Sequence, residues 1–245
     1  MPNATHMRHE IEQIPEATRR LLDRSSDRLE AAGAALGKLQ PVMIATIARG
    51  SSDHAAAYLK YAIELVAGVP VASIGPSVMS IYGRELHLEG CGVLSISQSG
   101  KSPDIVAMAQ SARRNGGLGI ALTNTPDSPL AAAADIAVDL AAGVEQSVAA
   151  TKSFVSSVVA GLAILAHWTG DAPLRASLAE LPDAFARAID CDWTPVLTAI
   201  EGRGSLYVLG RGPALAIAEE AALKFKETCG IHAEAYSAAE VLHGP

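Results

Sequence analysis

The sequence predicts an α/β fold, a doubly wound parallel sheet flanked by helices. Three observations lead there. Short apolar runs such as VMIATI (42–47), GVLSI (92–96) and LGIAL (118–122) have the length of buried strands. Longer Ala- and Leu-rich stretches alternate with them, and the junctions carry Gly, Ser, Pro and Asn. Strands that alternate with helices are joined by crossovers, which gives parallel pairing with both faces of the sheet covered.

The elements follow in order. Residues 8–39 are rich in Arg, Glu, Leu and Ala, and Leu21, Leu22, Leu29 and Leu36 recur near helical spacing, which predicts one or two amphipathic helices. A first strand, Val42–Ile47, meets ARGSSDHAAAYLKYAIELVAG, where small and hydroxyl residues open a helix that stops near Gly68. A second strand, Val71–Ile74, runs into a Ser- and Gly-containing segment, and Gly92–Ile96 is the next strand. The helix after it has Ser102 as N-cap, Pro103 at the first helical position, Asp104 near the positive end of the dipole and Asn115-Gly116-Gly117 as terminator. Leu118–Leu122 and Ile136–Leu140 are strands separated by the turn-rich TNTPDSP. The apolar stretch Val148–Trp168 contains Thr151, Lys152, Ser153, Ser156 and Ser157, costly in hydrocarbon, so it is read as a buried Ala-rich helix and not as a membrane span.

The pattern then restarts. MIATIARGSSDHAAAYLKYAIE (43–64) and SLYVLGRGPALAIAEEAALKFKE (205–227) share an apolar strand, an Arg-Gly pair and an Ala-rich helix. We therefore divide the chain into an N-terminal helical segment (1–40), a first α/β domain (41–190) and the start of a second of the same design (191–245). About forty residues remain after the restart, too few for a second sheet when one βαβ unit takes roughly thirty, so the second domain is expected to be incomplete here.

Composition excludes several function classes. A net charge of −7 and the lack of a basic stripe argue against a nucleic-acid groove, which needs clustered Lys and Arg. Cys91, Cys191 and Cys229 lie far apart in no metal or redox spacing, as expected of free thiols in a reducing cytoplasm. The N-terminal MPNATHMRHEIEQIPEATRR is polar and charged, without the apolar stretch of an export signal. The expectation is a cytoplasmic protein with no membrane, nucleic-acid or metal partner.

Three motif-like stretches resolve into weaker statements. SQSGKSPD (97–104) ends like a nucleotide P-loop, but the required earlier glycine is Ser95, inside a strand. What remains is Ser97, Gln98, Ser99 and Ser102, with the backbone N–H groups around Gly100, at a helix N-terminus that follows a strand: either an anion cradle or a Ser-rich capping turn. GRGPAL (210–215) has Leu215 in the third-glycine position of a dinucleotide fingerprint, and HAE (232–234) lacks the Pro-Cys-x-x-Cys that a zinc deaminase adds.

The densest cluster is EEAALKFKETCGIHAEAYSAAEVLHGP. Lys224 and Glu227 stand three apart and share a helix face, while His232 and His243 are placed on loops. Ser237 and Glu240 form a capping box for a helix of barely one turn, stopped by Gly244 and Pro245. A Glu, a Lys and two His within some twenty residues also make an acid–base set.

Taken together, RGSS, SQSGKSPD, AGVEQSVAATKSF, EEAALKFKE and IHAEAYSAAEVLHGP, spread in order over residues 49–245, resemble the sugar isomerase (SIS) domain family. They are most similar to the isomerase half of glucosamine-6-phosphate synthase and to stand-alone glucosamine-6-phosphate deaminases. The resemblance implies a flavodoxin-like SIS fold in which Ser97, Gln98, Ser99 and Ser102 bind the sugar phosphate. It implies that Gly50, Ser51, Ser52, Val148 and Ala150 line the sugar site. Glu227 corresponds to the base that moves a proton between C1 and C2, with Lys224 beside it. His243 corresponds to a ring-opening residue that reaches in from the other subunit, which implies a homodimer. No metal or redox cofactor is implied.

Some features depart from the synthases. This chain begins Met-Pro-Asn and has no Cys before Cys91, so the glutaminase nucleophile is not expected and ammonia would not come from its own glutamine. The family's C-terminal Schiff-base lysine falls after Pro245, and a polypeptide ending there is expected to be inactive. Ala150 stands where the synthases often have Ser, and Arg49 where they have Cys. The expected activity is an amino-sugar-phosphate deaminase/isomerase that interconverts glucosamine 6-phosphate and fructose 6-phosphate with ammonia. The alternatives are a ketosamine-phosphate deglycase and a non-catalytic sugar-phosphate sensor. A sensor needs the serine loop but has no use for Lys224, Glu227 and His243 together, and the N-terminus carries no helix-turn-helix reader.

Overall fold

Five strands form a parallel sheet in the computed structural model, which describes residues 5–244. They are β1 (Met43–Ile47), β2 (Val71–Ser73), β3 (Cys91–Ile96), β4 (Leu118–Thr123) and β5 (Ile136–Asp139), in the order β2-β1-β3-β4-β5. All four pairings are parallel, with Ile44 opposite Gly92 and Ile120 opposite Ile136. The predicted strands are all present, each shifted by a residue or two at its ends, where fraying makes boundaries soft.

Alternation along the strands sorts side chains to two faces. Ile44, Leu94, Ile96, Leu122 and Val138 join one buried cluster, and Ala45, Ile47, Val93 and Ala121 join the other. The first face is covered by α3 (Ser26–Leu39), α4 (Ser51–Val66) and α8 (Lys152–Thr169), with α2 (Ile14–Arg24) and α9 (Ala172–Ile189) packed outside them. The second face carries α6 (Pro103–Arg114) and α7 (Pro129–Ala133), with the short α5 (Ser77–Ser80) beside α6. Helices on both faces make the sheet doubly wound. At Gly161 of α8 a Cβ would overlap Leu59 of α4, so glycine there sets how closely the two helices approach.

The N-terminal segment differs from expectation. It forms three helices, α1 (His6–Glu12), α2 and α3, because Gln13 ends the first just before Pro15 and the chain breaks again at Ser25. Ser25 is buried, and its hydroxyl donates to the Asp139 carbonyl at the end of β5 (2.7 Å). Helix α8 starts at Lys152 and not at Val148, leaving residues 148–151 to the preceding loop. Helix α9, opened by Asp171 accepting from Leu174 N, and α10 (Thr194–Ile200) fill a region to which the sequence reading gave no element.

The restart near residue 205 is a βαβ unit. β6 (Ser205–Gly210), α11 (Pro213–Cys229) and β7 (His232–Ser237) form it, and the two strands pair in parallel as a sheet of their own. His232, expected on a loop, opens β7. The Ser237–Glu240 capping box is formed and starts α12 (Ala238–Val241), while Pro245 lies outside the described residues. Helix α11 packs along α4, and that contact builds the site described next. No helix among the described residues is long and apolar enough to cross a membrane.

Candidate functional site

The strand order reverses between β1 and β3, so the loops leaving these two strands diverge and open a crevice past their carboxyl ends. The loop after β1 carries Ala48, Arg49 and Gly50 into Ser51 and Ser52 at the start of α4. The loop after β3 is residues 97–102, leading into α6. Arg49 of the first loop and Asp104 in the first turn of α6 form an ion pair of 3.2 Å.

The serine loop is fixed by its own backbone. Ser97 N donates to Leu122 O (3.1 Å), Asn124 N to Gln98 O (3.0 Å) and Leu130 N to Gly100 O (3.0 Å). The Ser97 hydroxyl accepts from Gly100 N (3.2 Å), and that of Ser99 from Lys101 N (3.3 Å). Gly100 has φ +61°, and a Cβ there would overlap Ser128, so glycine is required on both counts. Ser102 stands at the N-cap of α6 in extended geometry, yet its hydroxyl makes no cap hydrogen bond. A rigid loop at the N-terminus of a helix, with an uncommitted hydroxyl, is suited to a phosphate. Gln98 also lines a cleft of about 420 Å3 bordered by Arg20, Arg24, Asn124 and Asp139.

Across α4 lies the acid–base cluster. Lys224 and Glu227 do share a face of α11, and their charges meet at 2.8 Å. The Lys224 ammonium also donates to Ser51 Oγ (3.0 Å) and stands 3.0 Å from Glu220 Oε1. The contacts to Ser51 and Glu227 are hydrogen bonds, while Glu220 Oε1 faces the ammonium as an ion pair. Glu220 is 6% exposed, and its other oxygen is 2.7 Å from His54 Nδ1 on α4. Burial pushes the Glu220 carboxyl up, but the hydrogen bonds from His54 and Lys224 outweigh it and hold the group below the ordinary carboxylate range. Neighbouring Asp53 goes the other way: burial raises it, only partly opposed by His54. His54 and Asp53 line a cleft of about 590 Å3 between α4 and α11, which Glu234 and Tyr236 of β7 also line.

A third loop, residues 140–151, is built around two carboxylates. Glu145 accepts from Thr151 N (2.9 Å), Ser153 N (3.2 Å) and both their hydroxyls, so it serves as the N-cap that Thr151 itself does not provide. Glu10 of α1 accepts from the backbone N–H of Gln146 and Ser147. Buried Lys152 donates to Gln13 Oε1 (2.7 Å) and Val144 O (2.6 Å). The N-terminal helix thus clamps the loop that bears Val148 and Ala150.

Comparison with known proteins decides the family. The model described as SIS domain matches residues 40–167. The chain belongs to the SIS domain family. The glutamine–fructose-6-phosphate aminotransferase (isomerizing) of Symbiobacterium thermophilum is 34% identical over 257 residues, covering 96% of this chain and 42% of that protein. Thus the chain spans about two fifths of the length of that relative. A solved Silicibacter pomeroyi protein, provisionally named a phosphosugar isomerase, is 55% identical with a TM-score of 0.96, covering 99% of this chain and 74% of that one. The C-terminal domain of glucosamine-fructose-6-phosphate aminotransferase from Francisella tularensis is 30% identical with a TM-score of 0.81, covering 100% of this chain and 73% of that one.

Within this SIS protein the expected site residues fall into three groups. Ser97, Gln98, Ser99 and Ser102 form one loop, and Gly50, Ser51 and Ser52 lie at the start of α4 beside it. Ser51 in turn touches Lys224, which touches Glu227. Val148 is 99% exposed and Ala150 half-buried, and Val148 lines neither cleft. His243 is exposed, and its side chain makes no hydrogen bond or ion pair among the described residues. His54 and Glu220 were missed. The available signals were spacings: Glu220 precedes Lys224 by one helical turn, and His54 follows Ser51 by three residues.

Proposed function

We propose that this SIS protein is an amino-sugar-phosphate deaminase/isomerase that interconverts glucosamine 6-phosphate and fructose 6-phosphate with ammonia. The observation that carries the reading is the contact of the Lys224–Glu227 pair with Ser51, the first residue of the helix that follows β1, whose neighbour β3 leads into the serine loop. The sugar phosphate sits at Ser97, Gln98, Ser99 and Ser102, and Gly50, Ser51 and Ser52 face the sugar. Glu227 takes the C2 proton of the open-chain amino aldose and returns it to C1. The resulting C2 imine adds water and releases ammonia, leaving fructose 6-phosphate. Lys224 offsets the negative charge that develops on the C1 oxygen. Proton transfer and hydrolysis leave no electrons to be accepted by a cofactor. Val148 and Ala150 border the sugar once a second subunit is in place, and His243 of that subunit opens the ring. The 205–237 unit is the beginning of a second SIS domain, and the protein acts in the cytoplasm.

The test is ammonia release by the full-length protein across a panel of hexosamine and ketosamine 6-phosphates. Release from glucosamine 6-phosphate, lost in Glu227→Gln, is expected. Wild-type release by Glu227→Gln overturns the reading, and release from ketosamine 6-phosphates alone supports a deglycase in its place.

A further inference from the structure

Helices α4 and α11 face each other with a continuous polar seam. Ser51 and His54, three residues apart, share one face of α4, while Glu220, Lys224 and Glu227, at spacings of four and three, share one face of α11. The contacts run in sequence: His54 Nδ1 to Glu220 Oε2 at 2.7 Å, Glu220 Oε1 to Lys224 Nζ at 3.0 Å, Lys224 Nζ to Glu227 Oε2 at 2.8 Å. Exposure is lowest at the Glu220 side chain, 8%, and higher on both sides of it, at 22% for His54 and at 16% and 34% for Lys224 and Glu227. The driest group of the seam is therefore a carboxylate, met by His54 on one side and Lys224 on the other.

We propose that His54 is a positioning residue for the acid–base pair: by donating Nδ1–H to Glu220 it sets where the Lys224 ammonium stands between Ser51 and Glu227. This rests on the reading of Lys224 and Glu227 given above. Glu220 is buried and ionised, so its charge must be met by donors. With His54 present, that demand is divided between the imidazole and the ammonium. Without it, Lys224 is the sole remaining cation at Glu220 in the seam, and the attraction draws it away from Ser51 and Glu227. A misplacement of about 1 Å at a reacting group lowers rates on the order of a hundredfold. The donor, and not the ring, is the operative part. An asparagine carries its amide nitrogen at the same bond from Cγ as the histidine Nδ1, so His54→Asn supplies the same N–H to Glu220.

The experiment compares wild type, His54→Ala and His54→Asn in the full-length protein by steady-state kinetics on glucosamine 6-phosphate and by the rate of reductive methylation of Lys224, read by mass spectrometry. For His54→Ala, kcat is expected to fall by on the order of a hundredfold with KM little changed, because the serine loop is untouched. Lys224 methylation is expected to change several-fold in the same variant. His54→Asn is expected to restore both. The proposal is overturned if His54→Ala keeps the wild-type kcat and Lys224 reactivity, or if His54→Asn is as impaired as alanine while melting at the wild-type temperature. The lysine reactivity needs no turnover, so it tests the positioning role even where glucosamine 6-phosphate proves not to be the substrate.

Discussion

The Lys224 ammonium lies 3.0 Å from the Ser51 hydroxyl, across 173 residues of sequence. The first residue of α4 is thereby tied to α11, beside the His54–Glu220 contact that joins the same two helices. Lys224 is also a counter-charge to buried Glu220. Lys224→Met is therefore expected to destabilise the fold by about 3 kcal/mol, since it removes one member of a buried pair. Urea unfolding followed by circular dichroism measures this.

The serine loop depends on Gly100, whose backbone is left-handed and whose α-carbon abuts Ser128. Gly100→Ala is expected to cost about 1–3 kcal/mol through steric overpacking and strain. It should also abolish glucose 6-phosphate binding measured by calorimetry. Ser102→Ala, in contrast, should weaken that binding with no loss of stability, because the hydroxyl makes no cap hydrogen bond.

Glu145 is the N-cap of α8 supplied from six residues upstream. Glu145→Ala is expected to cost about 1–2 kcal/mol, as for other cap deletions. Amide hydrogen exchange across residues 143–151 should accelerate, because Thr151 N and Ser153 N lose their acceptor.

The Glu220 carboxyl is held below its ordinary value of 4.5 in the fold. A carboxyl lowered by folding adds stability that is fully present above the unfolded value and is lost as pH falls through the folded one. Between about pH 6 and about pH 3, the stability of wild type is thus expected to fall more steeply than that of Glu220→Gln. Thermal melts across that range give the comparison, and equal slopes would mean that Glu220 is not held ionised.

How much of this could be read from sequence depends on the range of each interaction. The five strands were legible because each is a short apolar run bounded by turn residues. The Lys224–Glu227 contact was legible because helical spacing alone brings the two together. His54 and Glu220 were not, because their contact spans 166 residues and depends on α4 lying along α11. The same holds for Glu10, which reaches the loop at Gln146 and Ser147 over more than a hundred residues. Val148 was grouped with an apolar helix on hydropathy, but Glu145 starts that helix at Lys152 and leaves Val148 in solvent. Helix α9 went unassigned although Asp171 and Pro173 mark its start, and buried Pro182 inside it is a residue that ordinarily argues against a helix.

The most direct test of the proton-transfer account is deuterium incorporation from D2O into bound hexose 6-phosphate, followed by proton NMR, for the full-length protein and Glu227→Gln. The account predicts exchange of the proton carried between C1 and C2 in wild type. It predicts a loss of about two to four orders of magnitude in Glu227→Gln, with sugar-phosphate affinity kept. Exchange at the wild-type rate in a Glu227→Gln protein that still binds the sugar would contradict it.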